Sequence, residues 1–329
     1  MTLTPRHPLT AVLGIAILAI GISSPSLAQT FPSKTVTIVV PFPAGGGPDL
    51  FARMLAEKLA PRWGQAVIVD NKPGAGALLG ANVVAKATPD GHTLLLTPNT
   101  MAISPHVLPK GAAGGIDVQK DLTAIVAPGT TPMALVANPE LGVRNLAELT
   151  ALARKSPGLP YGSAGNGSPM HFAGEMFKSS AKVDMTHVPY RGVGPSLVAT
   201  LGGEVKLLYV GLGGALQHIK SGKLVVLAVT EKKRSGLLPQ SPTATEQGVA
   251  NVEVNAWYGL FAPAGTPANV IQKINQEVNQ VLLAPDLREK MLVTGLEPLG
   301  GSPQVLESFL KEDSQRYAQI ARELNIKAD

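Results

Sequence analysis

The chain has 329 residues, with 28 Lys and Arg against 23 Asp and Glu, 45% hydrophobic residues and no cysteine. The missing cysteine excludes disulfides, thiolate metal sites and a thiol nucleophile. Aromatic residues make up 4% of the chain and do not alternate with the basic ones, so the small positive excess does not read as a nucleic-acid surface.

The first residues, MTLTPRHPLTAVLGIAILAIGISSPSLAQT, carry Arg6, an apolar run from Leu9 to Ile22 and small residues at Ser26 and Ala28. This is the layout of a secretory signal peptide, here residues 1–28, cleaved to leave the mature protein in the periplasm. A retained anchor is the alternative, but the apolar run falls short of the roughly 20 residues that span a bilayer. The remaining chain is long for one compact core, so two domains are expected.

Strand and helix patterns alternate from there. The β-branched run TVTIVV (residues 35–40) reads as a buried parallel strand. Leu50, Phe51, Met54, Leu55 and Leu59 then recur at helical spacing up to about Pro61. AVIVD (66–70) is a second strand, NKPGAGALLGANVVAKA a loop and helix, and HTLLLT (92–97) a third strand. In the middle, PMALVANP, LPYGS, MTHVPYR, VKLLYVG and LVVLAVT read as strands, NLAELTALARKS as a helix, and GNGSPMHFAGEMFKSS as a glycine turn feeding a helix. VNAWYGLFAP (254–263) is a late strand, followed by helices from Asn269 and from Pro303. The βαβα order predicts α/β lobes, each a mostly parallel sheet flanked by helices. The expected division is 29–128 plus 258–329 for lobe 1 and 129–257 for lobe 2, with a ligand cleft between them.

The sequence carries few chemical motifs. Gly74, Gly76 and Gly80 imitate a dinucleotide fingerprint, but the connection is too long and no strand ends in an acid placed for a ribose; helix-on-strand packing is the better reading. No glycine turn is followed by the Lys-Ser or Lys-Thr of a P-loop. YGSAG approaches a hydrolase elbow at Ser163, with Tyr161 where the first glycine belongs. His7, His92, His106, His171, His187 and His218 form no zinc motif, and His171 reads as a first-turn helix residue. Glu312 and Asp313 read as a solvent-facing pair, and EKKR (231–234) as a solvated turn. No catalytic residue, metal site or cofactor is expected.

Anion capture by backbone remains. In VVPFPAGGGPDLFAR a strand ends, three glycines turn the chain, and a helix starts around Pro48. In YGSAGNGSPMHFAGEMF the same parts recur, with Ser168 as N-cap and Pro169 opening the helix. A helix start presents free N–H groups and a positive dipole end, which suits a carboxylate or phosphate. For either turn alone, an ordinary strand-to-helix connection stays open; the matched pair favours a binding site.

These stretches, together with VDNKPGAGALLGANVVAKATPDGHTLL, THVPYRGVGPSL, HIKSGKLVVLAVT and NAWYGLFAPAGTP, resemble the Bug family, the periplasmic receptors of tripartite tricarboxylate transporters. The resemblance spans essentially the whole mature chain. It implies a two-lobed type II periplasmic-binding-protein fold that closes on a small organic acid. By position it implies a first ligand loop of Phe42, Ala44, Gly45, Gly46, Gly47 and Pro48, and a second of Ser163, Ala164, Gly165, Asn166, Gly167 and Ser168. Asn99, Thr100, Tyr190 and Arg191 become additions to the cleft wall. The chain departs from the family pattern at Pro48, where a Thr or Ser is common, and at Ala199 and Lys206, where acids are common. It departs again at Val210 and Gly211, which align with an Asp-Asn pair at the ligand's far end. That loss of acid points to an organic acid other than an amino acid, either an aliphatic dicarboxylate or an aromatic carboxylate. The implied partners are the membrane components of the transporter or a sensor-kinase ectodomain, with the receptor itself a monomer. A signalling receptor and a periplasmic hydrolase are the alternative readings.

Overall fold

A computed structural model describes residues 1–2 and 31–327, so the signal-peptide reading, which turns on residues 6–28, lies outside the described residues. Residues 31–327 pack as one compact unit built on two sheets. In chain order the strands are β1 (Val36–Val40), β2 (Val67–Asn71), β3 (Thr93–Pro98), β4 (Leu122–Thr131), β5 (Met133–Ala137), β6 (Leu159–Ser163), β7 (Met185–Pro189), β8 (Leu207–Gly211), β9 (Val225–Val229), β10 (Ala256–Pro263) and β11 (Glu297–Pro298). The helices are α1 (Gly47–Trp63), α2 (Leu78–Ala85), α3 (Thr100–Ile103), α4 (Leu146–Lys155), α5 (Pro169–Ala181), α6 (Val193–Leu201), α7 (Leu212–Lys220), α8 (Ala268–Leu282), α9 (Pro285–Val293) and α10 (Pro303–Glu323).

The first sheet runs β11-β4-β10-β3-β1-β2 and the second β7-β6-β8-β5-β9. Each is mixed. β1 pairs in parallel with β2 and β3, as β6 does with β7 and β8, while β10 lies antiparallel to β3 and β4, and β5 to β8 and β9. The parallel strands carry the glycine loops at their carboxyl ends, where ligands bind in open α/β sheets. The antiparallel strands carry the chain between sheets, forward between Thr131 and Met133 and back between Val254 and Ala256.

Strand β4 has no counterpart among the sequence-predicted elements, and it carries Pro128 and Gly129, which disfavour a strand interior. The sheet absorbs them as irregularities. Between Tyr258↔Gly129 and Leu260↔Val126 the register gains a residue on β4, and it gains another before Phe261↔Ala124. The displaced carbonyls find donors elsewhere: Leu299 N–H bonds Pro128, Gly300 N–H bonds Ala127, and Asn275 Nδ2 bonds Ile125.

Helix α10 belongs to both sheets. Its Leu306 and Leu310 pack with Leu95, Trp257 and Phe261 of the first sheet's core, while Tyr317 and Ala321 pack with Tyr161, Phe172 and Phe177 of the second. Between them sits Asp313, which the sequence reading placed in solvent. It is 9% exposed and accepts from Asn99 Nδ2 at 2.9 Å and Trp257 Nε1 at 2.8 Å. Burial raises its carboxyl above the ordinary value, although both bonds and Arg316 pull the other way.

Candidate functional site

Strand β1 ends at Val40, and the loop after it turns into α1, capped by Gly46 with extended backbone and with proline in its first turn. Asp49, in that turn and 2% exposed, folds back over the loop. Its Oδ2 accepts the Gly45 amide at 2.9 Å and Arg53 Nε at 3.0 Å, and its Oδ1 accepts Asn71 Nδ2 at 3.0 Å. Asn71, at the end of β2, also donates to the Phe42 carbonyl at 3.0 Å. Burial pushes the Asp49 carboxyl up, but the Arg53, Gly45 and Asn71 bonds outweigh it and hold the group below its ordinary value. One of the three loop glycines is therefore engaged by the protein. Among the described residues, the amides of Ala44, Gly46, Gly47 and Asp49 donate to no protein group.

The second loop follows β6. Gly165 stands at φ +125° with the Tyr190 carbonyl 3.0 Å from where a Cβ would sit, so this turn needs glycine on both counts. Ser168 caps α5 as read from sequence, accepting from His171 N–H at 3.2 Å and donating to the Gly165 carbonyl at 2.6 Å. The Gly165 amide donates to Ser163 Oγ at 3.0 Å and the Gly167 amide to His171 Nδ1 at 3.3 Å. Ala164, just before Gly165, and Asn166, between the two glycines, have amides with no protein acceptor among the described residues. Each loop therefore combines tied amides, which fix its shape, with open ones.

The remaining sequence-expected positions divide. Tyr190 is half-buried beside Gly162, and its amide donates to the Ser163 carbonyl at 3.2 Å; Arg191, next to it, is exposed. Asn99, 0% exposed, has its Nδ2 committed to Asp313 and to the Asn255 carbonyl, and its Oδ1 is buried without a partner. Thr100 is buried at the start of α3. The Val210 side chain lies in the core of the second sheet with Ala134, Val136, Leu208 and Leu212, while Gly211 backs onto Thr131 and Met170. Ala199 is buried in α6, and Lys206 pairs with Glu140 at 3.2 Å. The glycines of the fingerprint-like stretch pack elements together, since a Cβ on Gly80 would stand 2.8 Å from Pro41 Cβ.

Sequence reasoning missed the groups that hold the loops: Asp49 as a clamp, Asn71, His171 and His187. Their partners are 4 to 29 residues away in sequence, and no local pattern announces them. Ser163 does have a histidine, His187, with Nε2 at 2.6 Å from Oγ. The serine is 0% exposed, however, and its Oγ is already bonded by the Gly165 amide.

A recess of about 1230 Å³ opens elsewhere, between residues 231–236, residues 251–255, Glu297 and α10, and no residue of either glycine loop lines it. Lys232, Lys233 and Arg234 are exposed there, as the sequence suggested, but Glu231 is not: burial and then Glu297 push its carboxyl up to about 7. On the glycine loops the unpartnered amides stand at the starts of α1 and α5, whereas no helix start lines the recess, and the loops make the stronger candidate site.

Two α/β sheets joined by crossing strands, each with a glycine loop at the carboxyl end of a parallel strand, define a solute-receptor architecture of the periplasmic-binding-protein type. The comparisons agree, and the chain belongs to the tripartite tricarboxylate transporter receptor family, which matches residues 51–326. It is similar to BugT of Bordetella pertussis, 34% identical over 97% of this chain and 98% of the relative. Among solved structures it is similar to an R. palustris protein with adipate, 31% identical with TM-score 0.85, covering 91% of this chain and 100% of the other. It is similar also to MatC from Rhodopseudomonas palustris with bound malate, 32% identical with TM-score 0.80, covering 88% and 99%. Among the described residues no helix is long and apolar enough to cross a membrane.

Proposed function

We propose that the protein captures a small organic acid between loops 41–48 and 163–168 in the periplasm, after loss of residues 1–28, and hands it to the membrane components of a tripartite transporter. The observation that carries this reading is the pair of loops with unpartnered amides, Ala44, Gly46, Gly47 and Asp49 on one and Ala164 and Asn166 on the other. Each amide bonded to a carboxylate oxygen contributes about 1.5–3 kcal/mol net of the water it gives up. The crossings at residues 131–133 and 254–256 serve as the hinge, a few residues inside the expected boundaries of lobe 2 (129–257) against lobe 1 (29–128 plus 258–329).

The relatives solved with adipate and malate support small dicarboxylates as the ligand class. The resemblance sets Val210 where an acid is common, and this buried apolar side chain offers no counter-charge to an amino-acid ligand's ammonium group. The receptor turns nothing over: a nucleophile at Ser163 has no exposed surface from which to reach a substrate. A thermal-shift panel of dicarboxylates, aromatic carboxylates and amino acids tests the reading. A ligand at about 100 Kd adds roughly 2.7 kcal/mol to stability. A preference for aspartate or glutamate over every simple carboxylate would overturn the assigned class, and product formation abolished in Ser163→Ala would overturn the non-catalytic reading.

A further inference from the structure

Behind the second loop lies a row of polar side chains that no part of the proposed capture uses directly. The His171 and His187 rings stack, with centroids 3.8 Å apart and planes 8° from parallel. At one end His187 Nε2 meets Ser163 Oγ at 2.6 Å, and at the other His171 Nδ1 takes the Gly167 amide at 3.3 Å. Two loop amides thus terminate on this row, Gly167 on the imidazole itself and Gly165 on the serine that the other imidazole holds.

The proton bookkeeping is restrictive. A backbone N–H only donates, so His171 Nδ1 must carry a lone pair, and the ring is the neutral Nε2–H tautomer. Ser163 Oγ already accepts from Gly165 and has one proton of its own to give. His187 Nε2, at 2.6 Å, is a closer acceptor for it than the Gly165 carbonyl at 3.3 Å. His187 Nε2 then carries a lone pair as well, and burial against the neutral His171 ring disfavours a charge on it. The charged and titratable groups around the pair are Glu175 and Lys178 on α5, Tyr161 on β6 and Tyr209 on β8. Glu175 is bonded by Tyr161 Oη at 2.7 Å and by Lys178 Nζ at 2.9 Å. Burial first and Lys178 second lower His171 to about 4; burial and then His171 lower His187 to about 3.

We propose that His171 and His187 are positioning residues of the ligand loop, a neutral imidazole stack that ties the Gly165 and Gly167 amides inward. The amides of Ala164 and Asn166 are thereby left facing no protein acceptor and open to an anion. This rests on the reading that the second loop holds a carboxylate. It adds that the loop's shape is set by side chains buried behind it and holds only while both rings stay uncharged.

Adipate and malate serve as probes with the full mature chain. In His171→Asn the amide oxygen stands in for Nδ1, so affinity stays within about threefold of the wild type. In His171→Leu the Gly167 amide loses its acceptor, and affinity falls tenfold or more. Equal affinity of His171→Leu and wild type, for a probe the wild type binds, overturns the inference. A readout independent of any ligand guards against a variant that fails to fold. In ¹⁵N-histidine-labelled wild type at pH 7, Nδ1 of His171 should resonate as an unprotonated, hydrogen-bond-accepting nitrogen, with slow exchange of the Gly167 amide. A protonated Nδ1 at that pH overturns the inference, whereas a wild type that binds no organic acid overturns only the receptor reading.

Discussion

Asp49 Oδ2 accepts the Gly45 amide at 2.9 Å, so the acidic residue that opens α1 closes the first glycine loop on itself. A carboxylate at a helix start usually acts through the dipole. Here it also takes up one of the loop's own donors and, through Asn71, ties the loop to β2. Asp49→Ala strands the Gly45 amide and frees Asn71, and is expected to cost about 1–3 kcal/mol in urea denaturation together with a loss of ligand affinity. Because the folded carboxyl sits below its ordinary 3.8, this stabilisation is present above that pH and is lost as acid titrates the folded group.

The two loops should respond differently to the same substitution. Gly46 has extended backbone, and the nearest atom to an added Cβ is the Pro43 carbonyl oxygen at 3.4 Å. Gly46→Ala should leave the melting temperature nearly unchanged and act on affinity alone. Gly165→Ala meets φ +125° and the Tyr190 carbonyl, and should cost about 1–3 kcal/mol before any ligand is added. Calorimetric titration beside thermal melts separates the two effects.

Glu231 gives the protein a stability slope of opposite sign to that of its buried histidines. Its folded value of about 7 lies above the ordinary 4.5, so the folded state binds the extra proton and stability falls as pH rises between the two. Glu231→Gln should remove that fall, leaving the variant more stable than wild type at pH 8 and little different at pH 4.5. His171 and His187 act the other way. With folded values of about 4 and 3 against 6.5, they stabilise fully above 6.5 and lose that contribution as pH drops toward 4. Denaturation midpoints of wild type and Glu231→Gln across pH 4–8 resolve the two trends.

Among the described residues, Asp313 is the single acceptor of the Trp257 indole N–H and one of two acceptors of the Asn99 amide. Asp313→Leu should cost about 1–3 kcal/mol for each donor it strands. Asp313→Asn, which keeps an acceptor oxygen, should cost less. Intrinsic fluorescence of Trp257 during urea unfolding reads both variants.

Much of this architecture was legible. The β-branched run of β1, the helical spacing of α1 and the Ser168-Pro169 start of α5 are local patterns, and the structure follows them. Strand β4 was not legible, because Pro128 reads as a stop unless one knows that Leu299 and Gly300 wait on its outer edge. Asp313 was misread for a similar reason. On α10 alone it belongs to a polar face, and only the arrival of Asn99 and Trp257, 214 and 56 residues away, turns that face inward. The loops could be found by their glycines, but the groups that hold them could not, since a clamp is defined by where two distant segments meet.

The placement of β10 has a kinetic consequence. All strands of the second sheet fall within residues 133–229, an uninterrupted stretch, whereas β10 lies between β3 and β4 in the first. Until residues 256–263 arrive, the first sheet exists as two fragments with open edges, β2-β1-β3 and β4. Long-range pairing of this kind is slow. The second sheet should therefore gain amide protection early in refolding, and the first only as Trp257 becomes buried, which Trp63→Phe protein would report by fluorescence without interference. The second loop is then built before the first has a sheet to stand on, and the receptor completes its N-terminal jaw last.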